Sequence, residues 1–390
     1  MSLLVAIIYL AFISLGLPDS LLGSGWPVMS VELGASLSSA GIISFIISAS
    51  TIVSALFSDK VTRKIGTGKV TAFSVLLTAL AMMGFSFGKN LATLCILAIP
   101  YGLGAGAIDA CLNNYVALHL SPRQMSWLHC FWGVGAVASP YIMSYAISTR
   151  LGWQGGYRTV SVIQLVLTMI MFLAIPMWNK AAAHEGGEEE EEPVSLSIGQ
   201  IFKIPGTVLM FVSFLLYCAI ENMPIVWASS YFSSIYSLDA EKAASLASLF
   251  YIGMTGGRAI CGIFANKLGD KQLIRTGIII ILFGAIISIL PVSSYICAAV
   301  GFVIIGLGCS PIYPAFVHST PSNFGRKYSQ SIIGVQMAFA YVGMTVTPII
   351  FGKLAEYISI SILPYGVFSV AVIILITTEL LNKKVAGAKA

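Results

Sequence analysis

Long apolar segments alternate with short polar ones along the whole chain. A membrane-spanning helix needs about 20 apolar residues to cross about 30 Å of hydrocarbon, and twelve segments approach or exceed that length. They lie at about 3–26, 37–57, 67–88, 92–118, 126–148, 157–178, 206–234, 243–265, 273–291, 295–317, 328–350 and 360–379. Because the runs are long and unbroken, unlike the short alternating segments of a membrane barrel, the pattern predicts an all-α membrane protein with twelve transmembrane helices. No small-residue cleavage site follows the first segment, so we expect that segment to be retained as a span.

Composition and charge agree with a protein embedded in a membrane. Of the 390 residues, 57% are hydrophobic and 9% are charged, whereas about a quarter of an ordinary soluble domain is charged. Fifteen Lys and Arg residues flank one side of the predicted spans; the other side has five, namely Lys89, Arg150, Arg158, Lys242 and Lys353. Because loops rich in Lys and Arg stay in the cytoplasm, we expect a cell-membrane protein with both termini cytoplasmic. The net charge of +5 reflects this bias and does not indicate nucleic-acid binding.

A polar segment divides the predicted spans into two sets of six. It predicts an N-terminal bundle at 1–178, a cytoplasmic linker at 179–204 and a C-terminal bundle at 205–390. Five consecutive glutamates at 188–192 repel one another, which favours a hydrated tether over a regulatory or metal-binding role. The halves repeat weakly: GLG at 102–104 and 306–308, FWGVGAVASP at 131–140 and FAYVGMTVTP at 339–348. These repeats predict two pseudo-symmetric six-helix bundles that rock around a central cavity.

The loop after the second predicted span carries a recognisable motif. The chain reads ALFSDKVTRK at 55–64, and the pattern resembles G-x-x-x-D-R/K-x-G-R-K of the major facilitator superfamily. Ala55 and Thr62 replace the two glycines, while the charged positions Asp59, Lys60, Arg63 and Lys64 are kept. The resemblance implies the fold of that superfamily and a gating role for this loop.

A narrower resemblance is to the fucose-permease branch of sugar:proton symporters. Their fourth helix resembles the stretch GLGAGAIDACLNNYV at 102–116, with Asp109 in place of a glutamate and Asn114 in place of a proline. Their first helix carries an essential acid that matches Asp19. In their fifth-helix pattern, His129 and Trp132 stand where the branch has amides. The resemblance implies proton-coupled transport. Amides suit sugar hydroxyls, so the loss of two amides at these positions means that the resemblance does not fix the identity of the solute.

Three acids lie inside predicted spans: Asp19, Asp109 and Glu221. Each costs about 2.5–3.5 kcal/mol on insertion scales, so such residues normally face a cavity or a partner. A buried carboxyl group holds a proton more readily than one in water. We expect Asp109 to be the main proton-coupling group; its alternative is a structural hydrogen bond. Asp19 is either a second coupling group or a cap on an unwound helix. Glu221 is the third candidate for proton coupling and also a candidate for contact with solute or a cation; its alternative is pairing with Arg258 or a histidine.

Other polar and aromatic positions inside the spans are candidates for solute binding. Asn113 lies one helical turn after Asp109 and therefore shares its face. Trp132 is the preferred residue for stacking on a sugar ring, and His129 shares its side of the helix. The remaining candidates are Gln164, Tyr313 and Gln336, with interhelical hydrogen bonding as the alternative for the two glutamines. We expect Arg258, which is assigned to gating, to extend its side chain toward the cytosol.

The sequence favours transport over catalysis. It has no GxxxxGK[ST], HExxH or GxSxG motif in a suitable context, so we expect neither an enzyme nor ATP hydrolysis as the energy source. The preferred function is import of a small polar solute, a sugar in the first instance, by a monomer in the lipid bilayer. We expect proton-coupled symport with alternating access, with sodium as the alternative coupling ion, and no cofactor. The alternatives are a drug or metabolite efflux antiporter and a transporter-like nutrient sensor.

Overall fold

The described part of the protein consists of helices and the short connections between them. The computed structural model describes residues 2–36, 39–185, 194–238, 240–290 and 294–389. Within those ranges every regular element is a helix, and twelve helical segments are long and apolar enough to cross a membrane. The prediction of an all-α protein with twelve transmembrane helices is confirmed. The acidic run at 188–192, interpreted as a hydrated tether, lies outside the described residues.

The chain divides into two compact units. The first consists of Met1–Tyr115 and Leu128–Ser195, and the second of Val116–Trp127 and Leu196–Ala390. Among the residues described before the segment 186–193 there are seven helices: α1 (Ser2–Asp19), α2 (Leu21–Glu32), α3 (Ser39–Ile65), α4 (Thr67–Phe85), α5 (Leu91–His119), α6 (Pro122–Ser148) and α7 (Gly152–Glu185). The helices α1 and α2 together form the first span, Leu3–Glu32, which is interrupted at Ser20.

In the described part of the chain after that segment there are nine further helices. They are α8 (Ile198–Ile201), α9 (Thr207–Tyr236), α10 (Ala240–Leu268), α11 (Asp270–Ile289), α12 (Tyr295–Cys309), α13 (Ile312–His318), α14 (Thr320–Phe324), α15 (Ser329–Tyr357) and α16 (Leu363–Lys389). Short 3₁₀ turns lie at Arg326–Tyr328 and Ile360–Ile362. The tenth span, Tyr295–His318, passes from α12 into α13 across Ser310 and Pro311.

The first GLG repeat is a packing device of the first unit. A Cβ atom at Gly102 would lie 2.4 Å from the carbonyl oxygen of Ile47 in α3, and one at Gly104 would lie 2.8 Å from that of Ser74 in α4. Small residues allow two membrane helices to approach until their backbones touch. The fourth span is therefore held against the second and third spans at these glycines.

The second GLG repeat makes the same kind of contact in the second unit. A Cβ atom at Gly306 would lie 2.2 Å from the carbonyl oxygen of Phe250 in α10, and one at Gly308 would lie 2.6 Å from that of Gly277 in α11. The tenth span is thus held against the eighth and ninth. The glycines of the two GLG repeats therefore make equivalent close contacts with neighbouring helices, one set in each unit.

Candidate functional site

The carboxylate of Asp19 lies at the break between α1 and α2. Its side chain is exposed, and each of its oxygens accepts a hydrogen bond from a different helix. The Tyr101 hydroxyl in α5 donates to Oδ1 at 2.7 Å, and the Trp132 Nε1 in α6 donates to Oδ2 at 2.8 Å. A charged acceptor makes both bonds stronger than neutral ones. Asp19 thus connects the first span to α5 and α6 while remaining accessible.

The local sequence explains why Asp19 lies at a break between two helices. Pro18 occupies the last turn of α1, and a proline removes a backbone donor and disturbs the helix around it. Ser20 then separates α1 from α2. One turn earlier, α1 packs directly against α6 at Gly16. A Cβ atom at Gly16 would lie 2.1 Å from the carbonyl oxygen of Trp132, so only glycine permits this approach. This contact sets the position of Trp132 relative to Asp19.

Substitution of Gly16 by Ala is expected to disturb this arrangement. The added carbon meets a backbone oxygen that no side-chain rotation can move, and overpacking of this kind costs about 1–3 kcal/mol. The expected result is a lower thermal midpoint of the detergent-purified protein, with transport reduced. Gly133→Ala is the matched control, because a Cβ atom at Gly133 in α6 meets nothing within 4 Å. Equal midpoints for the two variants would contradict the packing role.

The pair of Asp109 and Asn113 lies inside α5. Asn113 Nδ2 donates to Asp109 Oδ1 at 2.8 Å and to the Asp109 carbonyl oxygen at 2.9 Å. Only 5% of Asp109 is exposed, and Asn113 is completely buried. The two residues predicted to share a face therefore contact each other, and they do so in a buried setting. The proton-coupling role of Asp109 stays a prediction.

The other polar candidates of the first unit contact neighbouring helices. Gln164 in α7 is buried, and its Nε2 donates to the Ser14 carbonyl oxygen in α1 at 2.8 Å. The ring of His129 packs edge-on against Phe12 at a centroid distance of 5.6 Å, and only 6% of the residue is exposed. For Gln164 the structure shows the interhelical hydrogen bond that was the alternative to solute contact.

A buried ion pair joins α9 and α10 in the second unit. Arg258 Nη2 donates to Glu221 Oε1 at 3.1 Å, with 5% and 6% of the two residues exposed. Within the described part of the chain, Glu221 Oε2 is buried and has no hydrogen-bond partner. The expectation that Arg258 extends toward the cytosol is wrong. A guanidinium in a low-dielectric interior is stabilised by a nearby carboxylate, and Glu221 supplies one within the unit.

Tyr313 and Gln336 also lie in the interior of the second unit. The Tyr313 hydroxyl contacts Met337 Sδ at 3.2 Å, and its ring packs against Phe214. Gln336 is completely buried, and its Oε1 accepts a hydrogen bond from the Thr320 hydroxyl at 2.9 Å. As with Gln164, the amide takes part in a contact between helical segments.

The charged motif lies at the end of α3. Lys60, Arg63 and Lys64 are exposed. Asp59 is only 4% exposed, and its Oδ2 accepts a hydrogen bond from the Ser195 hydroxyl at 2.6 Å. The motif acid thus contacts the chain segment that follows the acidic run. The gating role of the four motif residues stays a prediction.

Sequence reasoning missed several residues that complete these contacts. Tyr101 binds Asp19, and the one signal for it is its place directly before the GLG repeat. Ser195 binds Asp59 from a segment with no distinctive pattern. His318 joins two elements of the second unit, because Nδ1 lies 2.8 Å from Asp270 Oδ2 and Nε2 lies 3.0 Å from the Leu120 carbonyl oxygen.

Twelve candidate spans in the described part of the chain, with acids inside both units, are typical of helical membrane transport proteins. The sequence model of the Major Facilitator Superfamily matches residues 8–348 and again 244–383. The chain therefore belongs to the Major Facilitator Superfamily of transporters.

Similar proteins agree with this assignment. An uncharacterized MFS-type transporter of Yersinia pestis is 23% identical over 364 residues, which are 90% of this chain and 89% of the relative. Two solved structures share the fold. The proton:xylose symporter XylE superposes with a TM-score of 0.78 at 11% identity, covering 98% of this chain and 95% of XylE. A variant of the E. coli fucose:proton symporter FucP gives a TM-score of 0.72 at 12% identity, covering 97% and 98%.

Proposed function

We propose that this transporter imports a small polar solute, in the first instance a sugar, together with a proton. The observation that carries the proposal is the exposed carboxylate of Asp19, held at a helix break by donors from two other helices. An acid that reaches an accessible surface within a membrane span is a natural proton-binding group.

The geometry of Asp19 provides a means of coupling. An ionised carboxylate accepts from Tyr101 and Trp132 together, one donor on each oxygen. Once protonated, the group has one hydroxyl oxygen, which is a donor and a weaker acceptor. Uptake of a proton therefore weakens one of the two links that join the first span to α5 and α6. A change in the strength of these hydrogen bonds changes which arrangement of the helices is favoured.

Asp109 retains a place in the proposal as the second acid of the first unit. Its 5% exposure and its bond to Asn113 make it less accessible than Asp19. We therefore assign the transported proton to Asp19 and keep Asp109, hydrogen-bonded to Asn113, as a second candidate for proton coupling.

Recognition of a sugar is supported by the residues around Asp19. The carboxylate can accept hydrogen bonds from hydroxyl groups, and the indole of Trp132 offers a flat apolar face for a sugar ring. XylE and FucP are described as proton:xylose and fucose:proton symporters, which agrees with this class of solute. We further propose a monomer in the cell membrane with both termini cytoplasmic, as the distribution of Lys and Arg favours.

Uptake into proteoliposomes tests the proposed function. The purified protein is reconstituted in vesicles with an alkaline interior, and labelled sugars are offered singly with and without the pH gradient. We expect at least one sugar to accumulate above its external concentration only when the gradient is present. Accumulation driven by a sodium gradient alone, or only when the pH gradient is reversed, would overturn proton-coupled import.

A further inference from the structure

A polar groove lies where α11 begins and α16 ends, beside α13 and α14. Seven polar or charged residues line it: Lys271, Arg275, Ser319, Asn323, Thr378, Glu379 and Asn382. Phe316 and Leu381 are buried and supply apolar walls. The groove is built entirely from the second unit and is separate from Asp19.

The groove carries a surplus of positive charge. Arg275 is neutralised by Glu379, to which its Nε and Nη2 donate at 2.7 and 2.8 Å. Lys271 is exposed and makes no ion pair within the described residues. Asp270 directs Oδ2 to His318 at 2.8 Å. Two further exposed lysines, Lys383 and Lys384, follow Asn382 directly.

An exposed apolar stripe leads away from the cations along α11. Lys271 and Arg275 are followed at intervals of four by Ile279 and Phe283, which are 52% and 58% exposed. Residues spaced by three or four lie on one face of a helix. From Lys271 to Phe283 the face extends about 18 Å along the helix, which is more than half of the hydrocarbon thickness.

The adjoining helix α16 repeats the same order in the opposite direction. Ile373, Ile376 and Leu380 are 46%, 55% and 48% exposed, and the lysines at 383 and 384 follow them. On both helices, therefore, the cationic end lies at one membrane surface and the apolar face runs inward from it. By the distribution of Lys and Arg, that surface is the cytoplasmic one.

We propose that this groove binds the phosphate headgroup of an anionic phospholipid from the cytoplasmic leaflet. Lys271 supplies the charge, and the side-chain amides of Asn323 and Asn382 can donate hydrogen bonds to phosphate oxygens. The acyl chains lie along the exposed stripes of α11 and α16. Basic pockets between spans on the cytoplasmic side are suited to anionic headgroups, and a free phosphate would gain nothing from the apolar stripes.

Retention of lipid by the purified transporter tests the proposal. The full chain is reconstituted in vesicles of equal parts phosphatidylcholine and phosphatidylglycerol, extracted with mild detergent, and examined by native mass spectrometry. We expect phosphatidylglycerol to be retained in preference to phosphatidylcholine. Lys271→Gln should lower that retention about fivefold, the effect of one cation near an anionic surface, and Lys271→Arg should restore it.

Two controls test whether binding depends on the position of the lysine and whether the groove prefers a lipid headgroup to free phosphate. Lys353→Gln removes an exposed lysine of the same unit that the charge distribution places at the opposite surface, and it should leave retention unchanged. Inorganic phosphate added at the lipid's concentration should not displace the lipid. Equal retention by Lys271→Gln and the parent protein would overturn the proposal. Displacement by inorganic phosphate would instead assign the groove to a free anion.

Discussion

Proton-driven accumulation disappears when Asp19 is replaced by Asn, while exchange of solute across the membrane continues. Asn keeps the size of Asp but cannot take up or release a proton at neutral pH. Its single carbonyl oxygen can also serve only one of the two donors, Tyr101 and Trp132, in the manner of the carboxylate. The measurement compares uptake against a concentration gradient with counterflow of labelled solute, in proteoliposomes with an imposed pH gradient.

Two variants sharpen this test. Trp132→Phe keeps an aromatic ring but removes the Nε1 donor, so coupling should weaken while solute binding survives. Asp109→Asn tests the acid that sequence reasoning alone favoured. If Asp109→Asn loses uphill uptake and Asp19→Asn retains it, the transported proton belongs to Asp109 and the assignment to Asp19 fails.

Replacement of Arg258 by Gln destabilises the protein strongly. The change leaves the carboxylate of Glu221, which is 6% exposed, without its cationic partner. Removing one member of a buried ion pair costs about 3–5 kcal/mol, because the remaining charge is uncompensated. The thermal midpoint in detergent is therefore expected to fall far below that of the parent protein, with loss of monodisperse material on size-exclusion chromatography.

The double variant Arg258→Gln with Glu221→Gln separates charge from packing. Two amides can hydrogen-bond without a buried charge, so the double variant should be more stable than Arg258→Gln alone. If both variants lose the same stability, the pair contributes through shape and not through charge compensation. That outcome would contradict the electrostatic account of this contact.

The helices were largely predictable because hydropathy over about 20 residues is a strong local signal. Their ends were less so. The first span was expected to stop at 26 but continues through Pro27 to Glu32. In a membrane, neighbouring helices and the absence of water favour continued helix even past a proline. The eleventh span likewise runs to Tyr357, since hydropathy marks the hydrocarbon-crossing part and not the helix end.

The contacts of the candidate site were less predictable than its residues. The acids at 19, 109 and 221 stand out because charge is rare inside spans. Their partners depend on which helices pack together. Asp19 binds residues 82 and 113 positions away, whereas Asn113, four positions from Asp109, followed from helical spacing alone. The same reason explains the error at Arg258, whose partner lies 37 positions earlier on another helix.

The contacts made by Gly102 and Gly306 have a mechanical consequence. Each glycine meets a main-chain oxygen of a neighbouring span, so neither surface can relax by turning a side chain. Close packing without rotameric freedom transmits displacement instead of absorbing it. Within the first unit, a push on the fourth span must therefore carry the second span along, and within the second unit the tenth must carry the eighth.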